Sequence, residues 1–226
     1  MHNPDFIDWG TIEYAQAWHQ QEEIFNKILE TKKLGQSTEA LQKVILCEHP
    51  HVYTLGKSGA ENNLLVNQAF LASINATFFK TNRGGDITYH GPGQLVGYPI
   101  LDLEIYHLGL KDYVHLIEES IIQTIAEYDI VGTRLEGATG VWLDVGTLQA
   151  RKICAIGVKA SRYVTMHGYA LNVNTDLSYF NHINPCGFVD KGVTSIQKEL
   201  QKEVAMSEVK RVFERRFVEL LNQTDF

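Results

Sequence analysis

The chain has 226 residues, of which 44% are hydrophobic and 21% charged, and it carries a net charge of −7 at pH 7. This acidic balance argues against a general nucleic-acid binder, because neutralising phosphates needs a basic surface. The first residues lack the basic region and apolar run of a secretory signal, and no stretch is apolar for long enough to span a membrane. The three cysteines (Cys47, Cys154 and Cys186) suit a reducing cytosol better than a disulfide framework. We therefore expect one cytoplasmic domain over residues 1–226, with no nucleic-acid or membrane partner.

Three segments have the apolar periodicity of amphipathic helices. Gly35 is expected to end the first helix, whereas Asp112 and Ser207 are expected to cap the starts of the other two. The apolar stripes of the three helices run from Ala15 to Leu29, from Val114 to Ile125, and from Val209 to Leu220.

Seven further segments are rich in β-branched and aromatic residues, which predicts strands. Several of these strands follow one another directly, and the helices between them are few. This order favours an α+β domain with a mixed, largely antiparallel sheet over a doubly wound parallel one. The predicted strands are 43–47, 52–55, 77–82, 94–100, 141–144, 153–159 and 165–173.

The segment from Arg83 to Gln94 contains four glycines and a proline, so it cannot form a regular helix. Its glycines allow backbone N–H groups to approach a ligand closely. Arg83, Tyr89 and His90 add hydrogen-bond donors and an aromatic surface. A ligand-binding loop and a hairpin turn with incidental polar residues both remain open at this point.

Two segments resemble a phosphate-binding loop and a zinc site but lack residues that those motifs require. The segment 56–58 resembles the end of a P-loop, but His51 occupies the position of the required earlier glycine. Cys47, His49 and His51 alternate, as zinc ligands on one strand could. Pro50 interrupts that strand and no fourth ligand follows at a standard spacing. We therefore expect no metal site, and a buried cysteine beside loop histidines.

Cys186 lies between a proline and a glycine in the segment 184–187, which predicts a turn and an accessible thiol. The two other cysteines have apolar neighbours and are expected in the core. A nucleophilic thiol needs a nearby ammonium to favour the thiolate. Lys152, Lys159 and Lys191 are all candidates, and the pattern alone does not choose among them. A partly buried structural cysteine is the alternative.

Read together, these segments resemble the octanoyl-(acyl carrier protein):protein octanoyltransferase family. Thr139, before Gly140, departs from the family pattern, which more often has proline there. The matching pieces keep the family's order and lie at 48–50, 52–56, 83–94, 140–142, 152–154, 157, 167–172 and 183–187.

The resemblance implies a fold shared with biotin and lipoate protein ligases, a single α/β domain with a mixed sheet. It also implies a catalytic dyad of Cys186 and Lys152. The implied substrate pocket is lined by Arg83, Gly84, Gly85, Asp86, Ile87, Thr88, Tyr89, His90, Ala155, Ile156, Gly157, Gly168, Tyr169 and Ala170.

The implied reaction moves an octanoyl group from octanoyl-acyl carrier protein to a lysine through a thioester on Cys186, as the first step of endogenous lipoate biosynthesis. The implied acceptors are lipoyl domains of 2-oxoacid dehydrogenases and the H protein of glycine cleavage. No cofactor or metal is required. Backbone N–H groups at Gly84, Gly85 or Gly157 are candidate donors to the tetrahedral oxyanion.

Three alternatives remain. An ATP-dependent lipoate protein ligase of the same fold would not need Cys186. A cysteine hydrolase releasing octanoate would have to recruit His90 or His167. A non-catalytic protein that binds an acyl carrier or lipoyl domain would form no covalent adduct.

Overall fold

A computed structural model describes residues 3–184 and 192–223 of the chain. The described strands are β1 (Asp5–Thr11), β2 (Lys43–Glu48), β3 (Val52–Leu55), β4 (Thr77–Lys80), β5 (Ile87–His90), β6 (Gln94–Ile100), β7 (Thr133–Leu135), β8 (Ala138–Leu143), β9 (Arg151–Ser161), β10 (Val164–Asn172) and β11 (Gly192–Val193). The described α-helices are α1 (Tyr14–Lys33), α2 (Gln68–Ser73), α3 (Leu110–Ala126), α4 (Ile196–Leu200) and α5 (Met206–Leu221). Short 3₁₀ helices cover Glu39–Leu41, Glu61–Asn63 and Leu177–His182.

Most strands join one mixed sheet in the order β1-β2-β6-β10-β9-β8-β7, and β11 pairs with β9 beside this path. The pairs between β2 and β7 along this path are antiparallel, whereas β1 joins β2 and β11 joins β9 in parallel. A second, small sheet has the order β4-β3-β5. The predicted α+β class with a mixed, largely antiparallel sheet is confirmed.

A helix layer covers each face of the large sheet, so every residue of the central strands β6 and β10 is buried. The side chains of β6 alternate between the two layers, because successive residues of a strand point to opposite faces. Leu95 packs with α3 and α5, whereas Val96 and Tyr98 pack with α1. We call these the α3/α5 face and the α1 face. Among the described residues, no helix has the length and apolarity needed to cross a bilayer.

The helix stripes are largely confirmed, and their ends are corrected. Asp112 does not cap α3: Gly109 does, and the Asp112 carboxylate accepts a hydrogen bond from the Gly109 N–H at 3.2 Å. α5 begins at Met206, so Ser207 lies inside it. Ala15 is exposed, and the buried stripe of α1 begins at Tyr14 instead. Gly35 follows the end of α1 with φ +69°, as predicted.

The predicted strands are found with shifts of up to three residues at their ends, and β1, β5, β7 and β11 were missed. Strand β5 occupies part of the Gly-rich segment and pairs with β3 in the small sheet, whereas β6 belongs to the large sheet, so the segment does not form a hairpin with β6. Only four residues of the segment form this strand, which pairs with β3 in the small sheet. The turn before β5 remains free to face the large sheet.

Candidate functional site

A cavity of about 510 Å³ lies between the large sheet and the small one. Strands β9 and β10 contribute part of its wall, and the turn before β5 contributes another. α1 and the 3₁₀ helix 177–182 contribute Tyr14 and Phe180. Because the wall comes from elements far apart in sequence, the cavity exists only in the folded domain.

The structure brings most of the predicted site residues together around this cavity. Cys186 lies outside the described residues. Tyr89 is fully buried within the small sheet and is not a lining residue; its hydroxyl lies 2.8 Å from His51 Nδ1. The predicted residues that line the cavity are Lys152, Arg83, Gly84, Gly85, Asp86, Ile87, Thr88, His90, Ala155, Ile156, Gly157, Gly168, Tyr169 and Ala170.

Lys152 points along the sheet rather than out of it. Its ammonium lies 4.6 Å from the centroid of the Trp142 ring and donates to the Thr139 carbonyl at 3.3 Å. The β8–β9 register shifts here, because Val141 pairs with Cys154 but Trp142 pairs with Lys152. The extra residue on β9 is a bulge, a feature that re-aims side chains near active sites.

Glu118 of α3 holds the strand that carries Thr139. Its buried carboxylate accepts a hydrogen bond from the Gly140 N–H at 3.0 Å and pairs with Arg134 at 3.0 Å. Gly140 has φ +125°, and an added Cβ would lie 2.4 Å from the Cys154 carbonyl oxygen. Only glycine fits this position, and the close approach of β8 to β9 keeps Thr139 beside Lys152.

Both flanks of the segment 185–191 are fixed near the cavity. Before it, the Asn184 N–H donates to the Asn63 carbonyl at 2.8 Å. After it, β11 pairs with Arg151 and Lys152, and the Thr194 N–H donates to the Lys152 carbonyl at 3.0 Å. Phe180, Gly192 and Val193, which stand on either side of the segment, all line the cavity.

Arg83 is buried at the wall and orders the turn before β5. Its guanidinium donates to the Thr54 carbonyl at 2.6 Å and to the Gly84 carbonyl at 2.9 Å. The Gly84 N–H donates to Val158 of β9 at 2.8 Å. An added Cβ at Gly157 would lie 2.8 Å from the Gly84 carbonyl oxygen, so this glycine permits the turn to dock on the sheet.

Two buried imidazoles, His90 and His167, line the cavity, and the buried His49 lies beside His90 with ring centroids 6.0 Å apart. Burial lowers the pKa of His90 to about 3, with further contributions from His49 and Arg83, and lowers the pKa of His49 to about 4. Burial, with help from Arg83 and Lys159, lowers the pKa of His167 to about 3. The inner surface therefore offers neutral hydrogen-bonding groups to a ligand.

The Cys47, His49 and His51 side chains do not converge on one point. His49 donates from Nδ1 to the Ile12 carbonyl at 2.7 Å and accepts at Nε2 from the Tyr98 hydroxyl at 2.7 Å. His51 instead stacks on Tyr179, with ring centroids 4.2 Å apart. Cys47 and Cys154 are buried, as expected for core thiols.

Sequence reasoning missed several lining residues: Tyr14, Gln94, Tyr98, Trp142, His167 and Phe180. Trp142 and His167 belong to the matched segments, so the resemblance was the available signal for them. Tyr98 lies in a strand that is buried throughout, where periodicity does not distinguish a wall from a core.

A family model described as "Lipoyl protein ligase A/B catalytic domain" matches residues 13–218. The chain is 60% identical to the octanoyltransferase of Bacteroides thetaiotaomicron over 96% of this chain and 95% of that one. It is 53% identical to the octanoyltransferase of Flavobacterium psychrophilum over 96% of each chain. The chain belongs to the octanoyltransferases of the lipoyl protein ligase A/B family.

Solved structures support the fold of this octanoyltransferase family member. A bi-partite lipoate protein ligase from Thermoplasma acidophilum is similar with a TM-score of 0.70 at 14% identity, covering 98% of this chain and 84% of that chain. The biotin protein ligase of Aquifex aeolicus is similar with a TM-score of 0.52 at 14% identity, covering 99% and 70%. The predicted likeness to biotin and lipoate protein ligases is confirmed at the level of the fold.

Proposed function

We propose that this octanoyltransferase moves an octanoyl group from octanoyl-acyl carrier protein to a lysine of a lipoyl domain, through a thioester on Cys186. The observation that carries the proposal is the placement of Lys152 at a cavity whose wall includes the residues on both flanks of the segment 185–191. Cys186 is the one cysteine of that segment. A reactive thiol and an ammonium are therefore expected within reach of one bound acyl group.

In the first half-reaction, the Cys186 thiolate attacks the donor thioester. The Lys152 ammonium stabilises this thiolate as its ion-pair partner. The new bond joins Cys186 Sγ to the acyl carbon, and the bond between that carbon and the carrier's sulfur breaks. The leaving carrier thiolate takes a proton from Lys152, which becomes neutral.

In the second half-reaction, the neutral amine of the acceptor lysine attacks the octanoyl-Cys186 thioester. Lys152 accepts the proton that the attacking amine loses, as a general base. The C–S bond breaks, an amide forms, and Cys186 returns as a thiolate beside a Lys152 ammonium. Thioester to amide exchange is downhill, so no nucleotide is needed.

Both half-reactions pass through an oxyanion that requires fixed donors. The Gly84 N–H already donates to the Val158 carbonyl, so it is a poor candidate. Gly85 and Gly157, both cavity-lining residues, remain the candidate donors. Hydrophobic lining from Ile156, Ala155 and Trp142 suits the hydrocarbon part of the substrate.

The test is transfer to an isolated lipoyl domain, with octanoyl-acyl carrier protein as donor and no ATP. We expect the mass of the lipoyl domain to rise by one octanoyl group, on lysine. The H protein of glycine cleavage is the second acceptor to test. Modification that requires ATP and free octanoate instead would assign the chain to the ligase reaction.

A further inference from the structure

Strand β9 changes its neighbour next to Lys152. Along one edge it pairs with β10 as far as Cys154, and with β11 at Arg151 and Lys152. Along its other edge it pairs with β8, where Trp142 lies opposite Lys152. β11 therefore continues the row that β10 leaves, and Lys152 lies between two strands. β11 is two residues long, and a strand this short is marginal without other support.

Asn172 closes the gap between β10 and β11. It is the last residue of β10, and its side chain is buried. Its side-chain N–H donates to the Thr194 carbonyl at 2.9 Å, and the Thr194 N–H donates to the Lys152 carbonyl at 3.0 Å. Two hydrogen bonds in series therefore connect the Asn172 side chain to the main chain of Lys152.

The Asn172 amide is itself fixed by two further polar side chains. Its oxygen accepts a hydrogen bond from the Gln94 side chain at 2.9 Å. The same Gln94 nitrogen donates to the Tyr89 carbonyl at 3.1 Å, so Gln94 Oε1 is the atom that faces His90. His90 Nδ1 lies 2.8 Å from that oxygen and therefore donates to it. The three side chains thus donate one after another toward β11, and hydrogen bonds in such a chain strengthen each other.

We call His90, Gln94 and Asn172 the polar row. All three side chains are buried, and all three line the cavity. His90 ends β5, Gln94 begins β6 and Asn172 ends β10, so the row joins the small sheet and the large sheet to β11. A buried network whose members are satisfied specifies one arrangement of the elements that it joins. Asn172 is the member that contacts β11.

Because Asn172 lines the cavity, direct contact with a substrate is the alternative role for its side chain. Its oxygen and its nitrogen already have protein partners, Gln94 and Thr194. This engagement favours support of β11 over contact with a substrate. The two roles predict different kinetic effects, because a lost substrate contact weakens binding whereas a displaced Lys152 slows the chemical step.

We propose that Asn172 is a positioning residue for Lys152. It holds β11 against the end of β9 and so fixes the backbone from which the Lys152 side chain extends. Without the Asn172 amide, β11 separates from β9 more often, and the ammonium leaves its place over the Trp142 ring. The effect on acyl transfer rests on the proposed function, which uses Lys152 as ion-pair partner and general base. The placement of Lys152 does not depend on that function.

The matched control is Asn174, two residues further along the chain. Its side-chain N–H donates to the Val204 carbonyl at 2.8 Å, and its oxygen accepts from the Val204 N–H at 3.1 Å. Asn174→Ala therefore loses two hydrogen bonds, as Asn172→Ala does, but both of them go to Val204 rather than to β11. Asn172→Ser is a milder variant that keeps a hydroxyl in the site, and both measurements below use it if Asn172→Ala does not fold.

The first experiment measures the place of Lys152 by NMR without any substrate. Protons over the face of an indole resonate upfield, and the ε-methylene signal that disappears in Lys152→Arg identifies this residue. We expect Asn172→Ala to lose the upfield shift and its Thr194 amide to exchange with solvent about tenfold faster. Asn174→Ala should change neither. An upfield shift that persists in Asn172→Ala, or that is lost equally in Asn174→Ala, would overturn the proposal.

The second experiment is single-turnover acylation by octanoyl-acyl carrier protein over a range of donor concentrations. We expect the maximal rate constant of Asn172→Ala to fall by about ten- to a hundredfold, because a small misplacement of a reacting group is costly. The half-saturating donor concentration should change little, and Asn174→Ala should match the unaltered protein. A raised half-saturating concentration with an unchanged maximal rate would make Asn172 a substrate contact and overturn the proposal.

The two proposals fail in different ways. If the unaltered protein forms no octanoyl adduct, the proposed function is wrong, and the NMR comparison still decides whether Asn172 places Lys152. If the adduct forms and Asn172→Ala is acylated as fast as Asn174→Ala, the function stands and Asn172 does not position Lys152.

Discussion

The Lys152 ammonium lies 4.6 Å from the centre of the Trp142 ring, on the neighbouring strand. A cation over an indole face is attracted by the quadrupole of the ring. The Trp142 Nε1–H donates to the Ala138 carbonyl at 2.9 Å, and this hydrogen bond fixes the orientation of the ring. Trp142 therefore orients the ammonium to which the proposed mechanism assigns the proton transfers.

Replacing Trp142 with leucine should slow thioester formation by about tenfold, because the ammonium loses a contact worth about 0.5–2 kcal/mol. Trp142→Phe is the control: it also loses the hydrogen bond to Ala138 but keeps an aromatic face. Single-turnover acylation by octanoyl-acyl carrier protein gives both rates. Equal rates for the leucine and phenylalanine variants would show that the ring face has no part in placing Lys152.

Glu118→Gln should destabilise the fold by about 1–3 kcal/mol, since a buried charge-assisted pair with Arg134 is lost. It should also slow acylation, because the single amide oxygen of glutamine cannot accept from both Arg134 and the Gly140 N–H, which weakens the hold of α3 on Gly140 and Thr139. Glu119→Gln is the matched control, since Glu119 pairs with the same Arg134 at 2.8 Å. Because the pair of Glu119 and Arg134 is partly exposed, its loss should lower the free energy of unfolding by at most about 1 kcal/mol. Urea unfolding and single-turnover acylation of both variants test this, and equal effects would count against the role of Glu118.

Glu199 holds β11 beside Lys152. It pairs with Arg151 at 2.6 Å and accepts a hydrogen bond from the Thr194 hydroxyl. Glu199→Gln should weaken this anchor by about 1 kcal/mol and reduce the acylation rate several-fold. Asp144→Asn removes a more exposed partner of the same guanidinium and should leave the rate unchanged. Acylation rates that fall alike in the two variants would contradict a specific role for β11.

The buried imidazoles predict an acid-sensitive fold. The folded pKa of His90 and His167 is about 3 and that of His49 about 4, below the ordinary value of about 6.5. Below pH 6.5 the unfolded chain therefore binds more protons than the folded chain. The free energy of unfolding is unaffected by these groups above that pH and falls as the pH drops toward 4. Each imidazole contributes up to about 1.4 kcal/mol per pH unit in that window.

Urea unfolding at pH 7.5, 6.0 and 5.0 measures this slope. His90→Gln should reduce the slope between pH 6.0 and 5.0 by up to about 1.4 kcal/mol per pH unit. A slope that is the same in the unaltered protein and in His90→Gln would show that His90 is charged in the folded state below pH 6.5.

The sequence predicted the elements whose burial pattern is simple. The stripe from Val209 to Leu220 in α5 faces the core at every predicted position, because an amphipathic helix has one buried face. Strand β1 was missed since it lies at the edge of the sheet and most of its residues are exposed. The N-cap of α3 was predicted at Asp112 because aspartate is common both at the N-cap and at the third helical position. The structure places Asp112 at the third position.

The site was predictable only in part. Glycines mark where backbone must approach backbone, and Gly157 and Gly140 do lie at such contacts. The conformation of His167 has no signal in the sequence, because a positive φ in a strand depends on the packing of α1 and the turn before β5. Nor could spacing alone show that Lys152 lines the cavity and Lys159 does not, since the direction of the Lys152 side chain depends on the bulge in β9.

The most direct test of the account is intact-protein mass spectrometry of the chain after mixing with octanoyl-acyl carrier protein without ATP. We predict a gain of one octanoyl group, labile to hydroxylamine, that is absent in Cys186→Ser and strongly reduced in Lys152→Ala. An unmodified chain that nevertheless octanoylates a lipoyl domain, or an adduct that persists in Cys186→Ser, would contradict the thioester route.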